Sequence, residues 1–106
     1  MILMRNGKCN LIKFTKQAEK DIKLIKRAGL ERKVKSLLNL IRFNPFQTPP
    51  DYERLVWDLR GSFSRRITLQ HRLVYDIYEN TENILSPSGE PYEEIIKIMR
   101  MWTHYE

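Results

Sequence analysis

FSRRITLQHRLVYDIY, Phe63 to Tyr78, decides how this chain folds. "FSRRIT" and "HRLVYDIY" each read as a β-strand, and only "LQ" separates them. So short a link makes the two strands antiparallel neighbours. The same stretch crowds Arg65, Arg66, His71 and Arg72 together in a chain with two histidines in all. Successive strand residues point to opposite faces, so Arg65 and Arg66 cannot serve one site together. Such cations either coat a solvated sheet or hold an anion.

Upstream, "YERLVWDLRG" carries Leu55, Trp57 and Leu59 on one side, the pattern of a strand that ends at Gly61. "NPFQTPP", Asn44 to Pro50, holds three of the five prolines and must be a connecting loop. Before it the periodicity is helical. Thr15 is an N-cap for a helix that places Ala18, Ile22 and Ile25 on one face, with Leu24 and Ala28 beside them. Gly29 ends that helix, and a second one over Leu30 to Phe43 shows a stripe of Val34, Leu37, Leu38 and Ile41. "NLIKFT", Asn10 to Thr15, alternates as a short strand. Downstream, the turn-rich Glu79 to Tyr92 loop leads to a final strand over Glu94 to Trp102. Helices grouped early and strands grouped late predict an α+β domain. An N-terminal strand and an α-hairpin pack on one face of a twisted, mostly antiparallel sheet of four to five strands. Ile12, Phe14, Leu73, Tyr75, Ile96 and Ile98 are its core candidates, and residues 1–106 form one domain with 1–9 as an extension.

At 106 residues, 42% hydrophobic and 30% charged, the chain is of globular composition. It has no apolar run of the roughly 20 residues that cross a bilayer, which predicts no membrane partner. "MILMRNGKCNLIKF" lacks the h-region and cleavage site of a secretory signal. The single Cys9 can make neither an internal disulfide nor a zinc site, so a reducing, cytoplasmic setting is expected. The net charge of +6 favours a polyanionic partner, nucleic acid or an acidic protein.

No glycine-rich phosphate loop, metal-spaced histidine pair or nucleophile elbow is present, and neither a metal nor a cofactor is expected. Cleavage of RNA needs neither. The 2′-OH is a built-in nucleophile, and the protein must supply a base, cations for the phosphate and an acid for the 5′-oxygen. Glu53 has the chemistry of the base, although a strand-end glutamate is more commonly just solvated. Arg66 and Arg72 can grip phosphate oxygens in bidentate fashion, or else pair across strands with Asp58, Asp76 or Glu79. His71 suits a turn as well as it suits chemistry. His104 titrates near physiological pH, and Tyr105 beside it can stack on a base, against the plain alternative of a frayed end. Trp57, Phe63 and Trp102 read as core or interface anchors.

Together, "YERLVWDLRGSFSRRITLQHRLVYDIY" and "MRMWTHYE" resemble the YoeB/Txe branch of the RelE toxin superfamily, from about Asn10 onward. The ordered set of Glu-x-Leu, Gly, Ser-Arg-Arg-Ile, His-Arg-Leu-Val-Tyr and a final His-Tyr carries the resemblance. It implies a RelE-like fold and a ribosome-dependent, metal-independent mRNA endonuclease. It also implies a cognate antitoxin of the YefM/Phd type, and the bacterial ribosome with its A-site mRNA as the target. Residue by residue it implies Glu53 as general base, Arg72 on the transition-state phosphate and His104 as general acid. Arg66 and Tyr105 would bind substrate. Arg65 matches a motif position too, counted with the substrate-binding set although a structural or ribosomal RNA contact is expected of it, as of His71. Val56, where some relatives carry lysine, Glu106 after the His-Tyr pair, and the long Glu79 to Tyr92 loop depart from the pattern. A non-catalytic module that binds RNA or an acidic protein, or an antitoxin corepressor, stays open as an alternative. So does the choice between monomer and homodimer.

Overall fold

The computed structural model describes residues 9–55 and 62–102. Thr15 starts the first helix as expected: its backbone is extended and its Oγ1 accepts the Ala18 N–H at 3.0 Å. Helix α1 spans Lys16–Arg27, with Glu19 in its first turn and Lys26 and Arg27 in its last, each matched to the helix dipole. Gly29 takes φ +71°, where a side chain would be strained, and turns the chain into α2, Glu31–Phe43. Val34 and Ile41 of α2 are buried, with Leu37 and Leu38 packed against the core. Ala28, expected near the apolar stripe of α1, is instead exposed, because it lies past the last turn.

The strands are β1 Leu11–Phe14, β2 Tyr52–Arg54, β3 Phe63–Arg66, β4 Arg72–Glu79 and β5 Glu94–Arg100. They form one sheet in the order β1-β5-β4-β3-β2, with β1 parallel to β5 and the other pairs antiparallel. This is the expected α+β architecture, at five strands. Two boundaries moved. The hairpin between β3 and β4 needs Ile67 to His71, not "LQ" alone, because Ile67 N–H and Thr68 N–H both donate to His71 O. β2 holds three residues, although Leu55 N–H still donates to Ser62 O at 2.8 Å. Trp57, Leu59 and Gly61 of the expected strand lie outside the described residues, as do Val56, Asp58, His104, Tyr105 and Glu106.

Alternation sorts the sheet into two faces. Leu73, Tyr75, Ile96 and Ile98 point to the helices and are wholly buried with Ala18, Ile25, Val34 and Ile41. Each such side chain contributes about 1.5–3 kcal/mol relative to exposure. Ile12 and Phe14 are partly buried against the same cluster. Asn10 ties the layers together: its N–H donates to Arg42 O at 2.7 Å, its Nδ2 to Ile41 O, and its Oδ1 accepts from Glu94 N–H.

Near its end β5 is irregular. Tyr75 pairs with Ile98 but Val74 pairs with Arg100, so Met99 is the extra residue of a bulge. Thr15 holds the irregular turn, its N–H donating to Ile98 O and its Oγ1 to Met99 O. Beyond the bulge Met101 faces the core and is fully buried. Asp21, on the inner face of α1 and 1% exposed, accepts there from Met101 N–H at 2.9 Å, Trp102 N–H at 3.2 Å and Arg100 Nε at 3.2 Å. Gln17 Nε2 supplies its other oxygen. Burial alone would raise the Asp21 pKa, but the donors on both oxygens outweigh it and hold the group below its usual 3.8.

A carboxylate with a lowered folded pKa contributes its full stability above the unfolded value, and loses it as pH falls through the folded one. The unfolding free energies of the parent and Asp21→Asn should therefore differ by a constant amount near neutrality. The gap should narrow as pH is taken below 3.8, as urea titrations at successive pH values would measure.

Candidate active site

Register brings the candidate residues together. Glu53 of β2 lies opposite Ser64 of β3, and Arg66 of β3 lies opposite Arg72 of β4. Partners directly across an antiparallel pair share a face, so all four side chains lie on the sheet face away from the helices. There Arg72 bridges two strands. Its Nη2 stands 3.4 Å from Glu53 Oε1 and its Nη1 donates to Ser64 Oγ at 3.3 Å. The arginine side chain is 17% exposed and the glutamate 64%. An ion pair this open adds at most about 1 kcal/mol to stability, so the arrangement matters for what it presents rather than for what it stabilises. Arg66 is exposed beside it. A base, a half-buried cation and a free-standing cation thus share one patch.

Cross-strand pairing of the arginines with Asp76 is not what the structure holds. Asp76 instead accepts from Ser62 Oγ and from Tyr78 Oη, forming a buried polar row beneath the patch with Ser64. Ser64 was missed from sequence because a serine bridging two strands is visible only once the register is known. A groove of about 640 Å³ lies on the helix side, between α2 and the end of β3. Arg66 lines it together with Arg32, Lys33, Leu37 and Ile67, whereas Glu53 and Arg72 do not.

Arg65 is corrected. It is 0% exposed, so it cannot bind substrate from the position it holds. Its Nη1 donates to Pro50 O at 2.7 Å, its Nη2 to Pro45 O at 2.8 Å and Gln47 O at 2.9 Å, and its Nε to Tyr75 Oη at 3.0 Å. The guanidinium also lies 5.1 Å from the Tyr52 ring centroid. Tyr75 Oη donates on to Pro45 O, and burial pushes its hydroxyl pKa up, with the Arg65 charge offsetting part of that rise. Arg65 therefore fastens the Pro-rich loop to the sheet and sets where β2 begins, one residue before Glu53.

His71 is likewise structural: it is buried, its N–H donates to Thr68 Oγ1, and its ring stacks on Trp102 at 3.8 Å and 19°. Phe63 stacks on Tyr75 and meets Phe46 and Tyr52 edge-on, so it is a core and loop anchor. His104 and Tyr105 follow Trp102 outside the described residues. Among the described residues no three His, Cys, Asp or Glu converge as a metal-ligand set, and no helix is long and apolar enough to cross a membrane.

A family model described as the YoeB-like toxin of bacterial type II toxin–antitoxin systems matches residues 14–88, well over half of the chain. The chain belongs to the YoeB-like toxins. Solved structures agree. A YoeB/ParE toxin from Agrobacterium tumefaciens is 27% identical, with a TM-score of 0.69 over 90% of this chain and 99% of its own. The YoeB dimer from Staphylococcus aureus is 29% identical, with a TM-score of 0.65 over 91% and 98%. YoeB in the YoeB–YefM complex from the same organism is also 29% identical, with a TM-score of 0.62 and the same coverage. A comparison with curated protein sequences finds no match. This YoeB-like toxin therefore carries the RelE-like fold expected of it, with the Glu53, Arg66 and Arg72 patch on its open sheet face.

The two arginines of the Ser-Arg-Arg-Ile motif should separate cleanly by stability. Arg65→Ala leaves buried carbonyls unsatisfied and should lower the unfolding free energy by about 3 kcal/mol, a fall in Tm of more than about 10 °C. Arg66→Ala should stay within about 0.5 kcal/mol of the parent, as thermal and denaturant melts would show.

Proposed function

We propose that this toxin is an endoribonuclease that cuts mRNA on the ribosome by attack of the 2′-oxygen on the adjacent phosphate. The observation that carries this is the open-face patch, where Glu53 and Arg72 stand 3.4 Å apart with Arg66 opposite Arg72. Glu53 takes the 2′-OH proton as the 2′-oxygen bonds to phosphorus. Arg72 and Arg66 hold the non-bridging oxygens as negative charge builds on them. The bond to the 5′-oxygen then breaks, and His104 returns a proton to that oxygen. The products are a 2′,3′-cyclic phosphate and a 5′-hydroxyl. No metal is needed for any step, since base, charge stabilisation and acid all come from side chains. Tyr105 is assigned to substrate binding beside His104.

Glu53 is mostly exposed, and nothing among the described residues encloses the patch, which fits a polymer substrate better than a small molecule. A net charge of +6 adds attraction to ribosomal RNA and to message alike. The partner that silences the toxin is proposed to be an acidic antitoxin of the YefM type, by analogy with the YoeB–YefM complex of the staphylococcal relative.

Primer extension on a translated message after induction tests the reading. The parent should create new 5′ ends only where translation occurs. Glu53→Gln should slow cleavage by about 10²–10⁴-fold, the usual worth of a general base, with Arg72→Ala and His104→Ala comparably impaired. Full toxicity in all three folded variants would refute the assignment. Salt-dependent RNA binding without new ends would favour the non-catalytic alternative.

A further inference from the structure

Asp21 is a buried carboxylate far from the Glu53, Arg66 and Arg72 patch, and nothing in the proposed chemistry uses it. Its three partners on Oδ2 are consecutive: Arg100, Met101 and Trp102. Packing of α1 on the sheet needs an apolar residue at this position, not an acid. The carboxylate is there because the chain at the end of β5 leaves its ladder, and two backbone N–H groups would otherwise be buried without an acceptor. Three further contacts act on the same few residues. The Met99 bulge, held by Thr15, turns the strand. Arg100 Nη2 donates to Trp102 O at 3.1 Å, closing a loop of contacts from Asp21 through the guanidinium to the last described carbonyl. The Trp102 ring stacks on His71, whose neighbour in sequence is Arg72. The chain that leads into residues 103–106 is thereby fixed in both place and direction, beside the strand that presents the phosphate-binding arginine.

We propose that Asp21 is a positioning residue of the nuclease, holding the end of β5 so that the segment that follows brings His104 to the Glu53–Arg72 patch. The inference rests on the functional reading above. Asp21 touches no substrate; it acts through Trp102 and through the general acid two residues beyond. General acid catalysis is steeply sensitive to geometry, and a displacement of about 1 Å can lower a rate by about 10²-fold. Bulges beside active sites commonly re-aim a strand in this way.

A double-mutant cycle with His104 tests it, using single-turnover cleavage on ribosomes programmed with one message. Asp21→Asn should slow cleavage at saturating toxin by about 10- to 100-fold and leave the half-saturating concentration unchanged. In the His104→Ala background it should cause no further slowing, because the group it positions is gone. Asp21→Asn slowing both backgrounds by the same factor would overturn the proposal, since a general loss of structure is blind to His104. His104→Ala cleaving as fast as the parent would instead overturn the functional reading. Should Asp21→Asn fail to fold, the same cycle is run with Arg100→Met, at a side chain 40% exposed. Dependence on His104 is then again the expected result, and additivity the contrary one.

Discussion

The buried Arg65 guanidinium is the interaction on which the working face of this toxin depends. A cation removed from water is tolerated only where its donors are met. Here three backbone carbonyls of the Pro45 to Pro50 loop and the Tyr75 hydroxyl meet them. The loop contains cis bonds at Thr48–Pro49 and Pro49–Pro50 and has little regular structure of its own. The arginine gives it a fixed shape by collecting its carbonyls at one point. β2 starts directly after this point, so the position of Glu53 on the face is inherited from contacts made on the opposite side of the sheet. One residue later in sequence, Arg66 faces the open side. The Arg-Arg pair therefore divides its work across the sheet, one member building the support and the other presented to the solvent.

A second constraint works at the far end of β5, where a carboxylate replaces a cation. Asp21 and Arg65 are both buried charges satisfied mainly by main-chain groups. Each sits where a chain segment leaves regular structure close to the site. Burial of a charge is an expensive way to hold a backbone, yet it is directional, which apolar packing is not. Both lie where direction matters: one before Glu53, one before the C-terminal segment.

Much of this was legible in the sequence because the signals were local. Thr15 as a cap, Gly29 as a turn and the prolines of residues 44–50 are chemistry of the backbone itself, and each element followed from them. Alternation in Phe63 to Tyr78 correctly sent Arg65 and Arg66 to opposite faces. It did not reveal which face was buried for good, because the acceptors that receive Arg65 are carbonyls, which leave no trace in residue type. Asp21 was silent for a related reason. An acid three positions after Ala18 interrupts the apolar stripe of α1, and its partners lie 79 to 81 residues away. The ends of β2 and β5 were overestimated since hydrophobic pattern continues through Leu55 and Met101 although ladder pairing does not. The patch itself was named from residue type and motif order, while Ser64 as its bridge needed the register.

The placement of β5 has a consequence for how the molecule comes into being. Fifth in chain order, it lies between β1 and β4 and hydrogen-bonds to both. Until it is inserted, β1 has no neighbour, α1 has nothing to receive the Asp21 carboxylate, and Tyr75 and Ile77 are uncovered along one side. Contacts of such long sequence separation form late, after the chain has met the entropy of closing the loops between them. A chain emerging from the ribosome in order therefore cannot assemble the sheet piecemeal; about nine-tenths of it must be waiting before the middle is filled. For a protein proposed to attack the machinery that makes it, this topology sets a built-in delay between synthesis and competence.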